Sequence, residues 1–200
     1  MIQLESLTQN EARVIDFLVR NFNERNSINE IGKRLKLSPM GAYKILKKLE
    51  KIKAAVPEKI GQAIYYKPNF NDEVGIKLSE FVLVQNNLNP YAQMQADDLR
   101  PLRELTQSCI LFGSVLAKGI DAKDIDIMIV LEKKNYPKIR DVLENIKKLK
   151  PKKIHEMVQT KEDLLKNIKK SDEVILDIIK KGKILWGAEI IVEAIKHGSS

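Results

Sequence analysis

Asp124-Ile125-Asp126-Ile127-Met128-Ile129-Val130-Leu131 is an apolar run interrupted by two carboxylates two residues apart. In a strand, residues i and i+2 share a face. Asp124 and Asp126 therefore stand side by side, while Ile125, Ile127 and Ile129 point the other way. Two like charges so placed repel unless a cation or a basic group lies between them. Upstream, Ser108-Cys109-Ile110-Leu111-Phe112 is a second apolar run and ends at Gly113-Ser114. The pattern predicts a buried strand, a tight turn, a loop marked by Gly119, then the acidic strand. Such a pair suits a divalent cation whose shell is completed by substrate phosphates. An isolated Asp-x-Asp is satisfied equally well by a solvated strand edge or turn.

Composition narrows the field. With 44% hydrophobic and 31% charged residues the chain has a globular balance. No apolar run approaches the roughly 20 residues of a membrane helix. Met1-Ile2-Gln3-Leu4-Glu5 lacks a basic region followed by an apolar stretch, so no signal peptide and a cytoplasmic setting are expected. One cysteine, Cys109, excludes an internal disulfide framework, and with two histidines it argues against a structural zinc site. The net charge is +8. Residues 1–70 carry 13 Lys and Arg against 7 Asp and Glu, and residues 108–200 carry 19 against 14. A mildly acidic stretch, 71–107, separates them. Two basic segments around a connector suggest two domains and a polyanionic partner. A lysine-rich solvated surface gives the same totals.

In the first segment, Thr8-Gln9-Asn10-Glu11 is a capping box, followed by Ala12, Val14, Ile15, Leu18, Val19 and Phe22 at helical spacing. Ser27-Ile28-Asn29-Glu30 repeats the box and opens a short helix with Ile31 and Leu35 inward. Ser38-Pro39 opens a third helix, with Ala42, Ile45, Leu46 and Leu49 as its buried stripe. Ala54–Val56 and Ala63–Tyr66 read as two strands joined through Lys59–Gln62. Residues 6–70 thus resemble the winged helix-turn-helix family. The resemblance implies a nucleic-acid partner, DNA foremost, and a recognition helix over 38–51. Met40, Tyr43, Lys44 and Lys47 would face the groove and its phosphates, with Lys59 on the wing. No arginine lies on that face, so no base reader is evident. Packing by Tyr43 and solvation by the lysines account for the same pattern.

From Asn71-Asp72-Glu73 a further helix is expected, with Val74, Leu78, Phe81, Val82 and Leu88 on one face and Asn86–Pro90 ending it. That face can pack between domains or pair with its copy in a homodimer. Another helical stretch, about 92–107, carries Leu99, Leu102 and Leu105, with Pro101 in its first turn or at a kink.

Gly113-Ser114, nine residues, then Asp124-Ile125-Asp126-Ile127 resembles the signature of the DNA polymerase beta-type nucleotidyltransferase superfamily. The string Leu111–Gly119 is most similar to its minimal prokaryotic members, and the resemblance runs from about 97 to 187. It implies that Gly113 lets the backbone approach a nucleoside triphosphate and that Ser114 binds phosphate. Asp124 and Asp126 would hold Mg²⁺ or Mn²⁺. Lys118 and Lys123 replace the arginine and serine that the family often has, offering point charges to phosphates. A third acid is expected on the next strand, 153–159, where Glu156 is the one carboxylate. It would be general base or metal ligand. His155 points to the opposite face, so if His155 faces the site the third carboxylate is missing. Trp186, in the closing segment Lys183–Gly187, can stack on a base or fill the core. A terminal helix covers 188–197.

The expectation is an α+β chain of two domains. A winged helix of three helices and a β-hairpin covers 1–70, a helical connector 71–96, and a nucleotidyltransferase-like small mixed sheet flanked by helices 97–200. The expected function is metal-dependent transfer of a nucleoside monophosphate to an acceptor, coupled to DNA binding and regulation of transcription. The alternative is a regulator or antitoxin-like protein whose second domain binds nucleotide or a toxin partner without turnover.

Overall fold

A computed structural model of the chain describes residues 7–84 and 87–198. The chain forms two compact units, residues 1–83 and 84–200. Asn86, residues 1–6 and the tail at 199–200 lie outside the described residues. No described helix is long and apolar enough to cross a membrane.

In the first unit, local capping sets the helices. The Thr8 and Ser27 boxes form on both sides and start α1 (Gln9–Arg20) and α2 (Ile28–Leu35). Ser38 accepts from the Gly41 amide, and Pro39 leads α3 (Pro39–Lys51). Strands β2 (Ala55–Ile60) and β3 (Ala63–Pro68) pair up to Ile60 and Ala63, leaving Gly61-Gln62 as the turn. The hairpin is therefore longer and tighter than expected. It is also not alone: β1 (Asn26–Ser27) pairs with Tyr66 and Tyr65, making a three-stranded sheet in the order β1-β3-β2. Two residues of strand, set among polar turn residues, carry no alternation that could announce them. Buried Asn26 holds this turn by donating to the carbonyls of Asn21 and Glu24.

The next helix, α4 (Glu73–Leu83), packs on α1 and falls in the first unit rather than in a separate connector. Leu78 and Val82 are buried there, while Phe81 stays exposed. Leu88 packs instead against the core of the second unit. The stretch expected as one helix over 92–107 is α5 (Pro90–Asp98), capped by Asn89, followed by a 3-10 turn at Arg100–Leu102. Pro101 lies in that turn and stops α-helical hydrogen bonding there.

The sheet of the second unit contains β4 (Ser108–Phe112), β5 (Asp124–Val130), β6 (Lys153–Gln159) and β7 (Lys183–Trp186). The order is β6-β5-β4-β7. Only β5 and β6 run parallel; the two other pairings are antiparallel. Between β4 and β5 lies the short helix α6 (Val115–Lys118). The β5–β6 crossover is α7 (Tyr136–Lys148). Ile125, Ile127 and Ile129 form one core with Leu99, Leu102, Ile139, Leu143 and Ile146. Helices α8 (Lys161–Lys169), α9 (Glu173–Lys181) and α10 (Ala188–Gly198) complete the unit, α9 and α10 packing on β4. Trp186 is a core residue, and its indole N–H donates to Thr106 Oγ1 at 2.9 Å within the fold. A base-stacking role is thereby excluded.

Gly75 shows how tightly α4 is seated. A Cβ there would stand 1.9 Å from the Asn69 carbonyl oxygen. Alanine exceeds glycine in helix propensity by about 1 kcal/mol, yet Gly75→Ala should lower the melting temperature because backbone must move. Thermal unfolding followed by circular dichroism checks this; a raised midpoint contradicts it.

Candidate functional site

Phe112 pairs with Asp126 at the end of β4, which brings the following turn against the acidic strand. Gly113 has φ +76°, and a Cβ on it would lie 2.1 Å from Asp126 Oδ2. Both the conformation and the space demand glycine. Ser114 then opens α6, its carbonyl accepting from the Ala117 and Lys118 amides at 3.2 and 2.8 Å. Lys118 and Lys123 are exposed.

One anchor of this turn escaped sequence reading. Asn89 accepts from the Ala92 amide at 2.8 Å and caps α5. Its Nδ2 also donates to the carbonyls of Val115 and Leu116 at 3.0 and 3.1 Å. One side chain thus ties the start of α5 to the end of the Gly113–Ser114 turn. The Asn89-Pro90 pair signals a helix start, but nothing local signals the second contact.

Asp124 and Asp126 share a face of β5, as expected. The parallel register pairs Asp126 with His155 and Ile127 with Glu156. His155 Nδ1 lies 3.7 Å from Asp124 Oδ2 and 3.5 Å from Asp126 Oδ1. Glu156 points to the other face and binds Lys147 of α7 at 2.8 Å. The expected third carboxylate is therefore absent from the site face, and a histidine stands there. The signal was present: Ile154 and Val158 flank Glu156 at i−2 and i+2, and both belong to the core on the α7 side. Ligand atoms of Asp124, Asp126 and His155 all lie within 4.8 Å of one another. Two anionic oxygens and an imidazole nitrogen fit a divalent cation.

The Asp126 side chain is 23% exposed against 35% for Asp124. Burial first, then the Asp124 charge, pushes the Asp126 carboxyl above its ordinary value, and nearby His155 opposes the rise.

In the first unit, α3 presents Met40 and Tyr43 to solvent, 61% and 44% exposed. Tyr43 is thus no core residue. Lys44 and Lys59 are exposed as well. Lys47 binds Glu50 at 2.8 Å, which raises its pKa and offsets its charge locally. Lys48, on the same helix, binds buried Glu11 at 2.9 Å and ties α3 to α1.

The raised Asp126 pKa has a definite sign in stability. The protonated acid is favoured in the folded state, so its contribution is full below the unfolded value of about 3.9 and is lost as pH rises through the folded pKa. Asp126→Asn removes the charge. In metal-free buffer it should be more stable than wild type at pH 7, with the gain shrinking as pH falls through the raised folded pKa and gone by about pH 3. Urea unfolding at the two pH values measures this, and a less stable variant at pH 7 contradicts it.

The profile of the family described as "Polymerase beta, Nucleotidyltransferase" matches residues 103–189. No curated protein matches the chain. Similar solved structures include a ZitR variant of Lactococcus lactis, at 15% identity and TM-score 0.35, covering 53% of this chain and 67% of that one. MepR, a transcription regulator of the Staphylococcus aureus multidrug efflux pump MepA, is 15% identical with TM-score 0.35, covering 50% and 81%. A second ZitR variant is 18% identical with TM-score 0.32, covering 52% and 78%. Together with the Gly113–Ser114 turn and the paired aspartates, the profile match makes residues 103–189 a nucleotidyltransferase-family domain of the polymerase beta class.

Proposed function

We propose that the second unit transfers a nucleoside monophosphate from a nucleoside triphosphate to an acceptor hydroxyl. The acceptor oxygen bonds to the α-phosphorus and gives up its proton to solvent, the α–β anhydride bond breaks, and pyrophosphate leaves with that electron pair. The observation that carries this reading is the Gly113 backbone pressed against Asp126, with Asp124 on the same strand face. Gly113 adds no side chain of its own, so its backbone and the Asp126 carboxylate lie together where a phosphate and its cation would meet. The Ser114 hydroxyl hydrogen-bonds phosphate oxygens, and Lys118 adds a point charge. Asp124 and Asp126 would hold Mg²⁺ or Mn²⁺, which offsets charge on the attacking and leaving oxygens. A cytoplasmic setting, the expectation from the sequence, is part of this reading.

The first unit, in this reading, carries the enzyme to DNA. Met40, Tyr43 and Lys44 lie exposed on α3, the helix that follows the α2–α3 turn, and Lys59 lies on the hairpin beside it. This is the arrangement of side chains that a winged helix offers to a groove and its phosphates.

One observation favours a second reading. With Glu156 held by Lys147, no third carboxylate among the described residues joins the pair to accept the proton of the attacking hydroxyl. The second unit would then bind nucleotide, or an antitoxin-like domain's toxin partner, without turnover, and serve a DNA-binding regulator.

Each α-labelled nucleoside triphosphate, incubated with full-length protein, divalent cation and cell extract, separates the two. Label should move to an acceptor with wild type, and fall about 100-fold or more with Asp124→Ala or Asp126→Ala while circular dichroism stays unchanged. Turnover at the native rate in Asp126→Ala overturns the enzyme reading. Nucleotide binding without transfer, lost in the same variants, establishes the second.

For duplex DNA, Lys44→Ala should reduce the slope of log affinity against log salt by about one. Lys47→Ala should change it less, because Glu50 already engages that ammonium. Equal slopes for Lys44→Ala and wild type contradict the assigned face.

A further inference from the structure

His155 faces the acid pair from the neighbouring strand, and its distances to them are informative. A histidine acting as a simple counter-ion donates to a carboxylate at about 2.7–2.9 Å. His155 Nδ1 stands farther off, 3.5 Å from Asp126 Oδ1 and 3.7 Å from Asp124 Oδ2, nearly equidistant from both. Nitrogen and oxygen ligands around one cation with bonds of about 2.0–2.2 Å lie roughly 3–3.6 Å apart. His155 Nδ1 thus stands close to ligand-to-ligand distance from both acids, and the ligand atoms of all three lie within 4.8 Å of one another. The register that aligns His155 with Asp126 is fixed by buried Ile154 packing on the α7 side, so this is not a chance rotamer on a loop.

We propose that His155 is the third protein ligand of the cation held by Asp124 and Asp126, through Nδ1. The site is thereby tuned to divalent ions that accept nitrogen, Mn²⁺ among them, over Mg²⁺. The inference rests on the metal-binding reading of the acid pair given above. Its chemical basis is ligand preference. Mg²⁺ is a hard ion that takes oxygen and water, whereas first-row transition ions take imidazole readily. Replacing a carboxylate by imidazole also removes one negative charge from the site, which weakens its hold on a hard cation most.

The test uses the full-length protein stripped of metal and titrated with MnCl₂. Free Mn²⁺ is read from its six-line electron paramagnetic resonance signal, and bound Mn²⁺ by electron spin echo modulation from coordinated ¹⁴N. Wild type should bind Mn²⁺ with nitrogen modulation, and Mg²⁺ should compete only at about tenfold excess or more. His155→Ala should lose the modulation and bind Mn²⁺ at least about tenfold more weakly. His155→Asp should keep binding, lose the modulation and narrow the Mn²⁺ to Mg²⁺ ratio. His197→Ala, altering the other histidine, should leave the signal intact.

Mn²⁺ bound by wild type without nitrogen modulation, or bound equally by His155→Ala, overturns the role of His155 and leaves the acid pair as the site. No Mn²⁺ binding by folded wild type overturns both the role of His155 and the metal-binding reading beneath it.

Discussion

The parallel pairing of β5 with β6 decides what chemistry the second unit can hold. A shift of one residue would turn His155 away from Asp126 and bring Glu156 to it. The shift does not occur because one face of β6 is already committed to the core. Ile154 and Val158 pack into the core with Ile125, Ile139 and Ile146. Glu156, between them in sequence, must share their face. It reaches the rim of α7 and meets Lys147, so a carboxylate that would be costly in an apolar layer is paired at its edge. The hydrophobic demand of two aliphatic residues thus selects the group that faces the acids.

The turn after β4 works against stability in a way that suits a site. Gly113 leaves no side chain between backbone and Asp126, and the acid is partly buried beside a second acid. A fold optimised only for stability would place neither there. The surroundings compensate by fixing the turn from outside. Asn89 holds the Val115 and Leu116 carbonyls, and Lys152 donates to the Ile120 carbonyl while lying 4.6 Å from the Tyr91 ring centroid. The loop from Gly113 to the acidic strand is therefore pinned at several points, which keeps Asp126 partly buried beside Asp124.

Elements governed by local rules were legible in the sequence. The Thr8 and Ser27 capping boxes, Ser38-Pro39 and the alternating run at 124–130 each announce a structure through neighbours three or fewer residues away. The Gly113–Ser114 turn and the face shared by Asp124 and Asp126 follow from the same kind of rule. What stayed hidden depends on contacts distant in sequence. β1 exists because Tyr65 and Tyr66 lie opposite Asn26 and Ser27, some 40 residues away. The second role of Asn89 lies across 26 residues. Glu156 is the instructive miss, since chemistry suggested a carboxylate while periodicity, read through Ile154 and Val158, pointed that carboxylate to the core.

Net charge misleads in a similar manner on α3. Its lysines read alike in sequence, yet the fold gives them different work. Lys48 anchors α3 to α1 through Glu11, an acid buried enough that its partner is structural. Lys47 is held by Glu50, which also accepts from the Tyr66 hydroxyl at 3.3 Å, linking α3 to the wing strand β3. A phosphate competing for Lys47 must displace an acid already in place, whereas one approaching Lys44 meets an exposed ammonium beside Met40 and Tyr43. The basic character of the first unit is thus divided between holding its helices and hairpin together and leaving a narrower charged face on α3. In the proposed DNA-binding role, that narrower face, rather than the total of +8, is what a polyanion would meet.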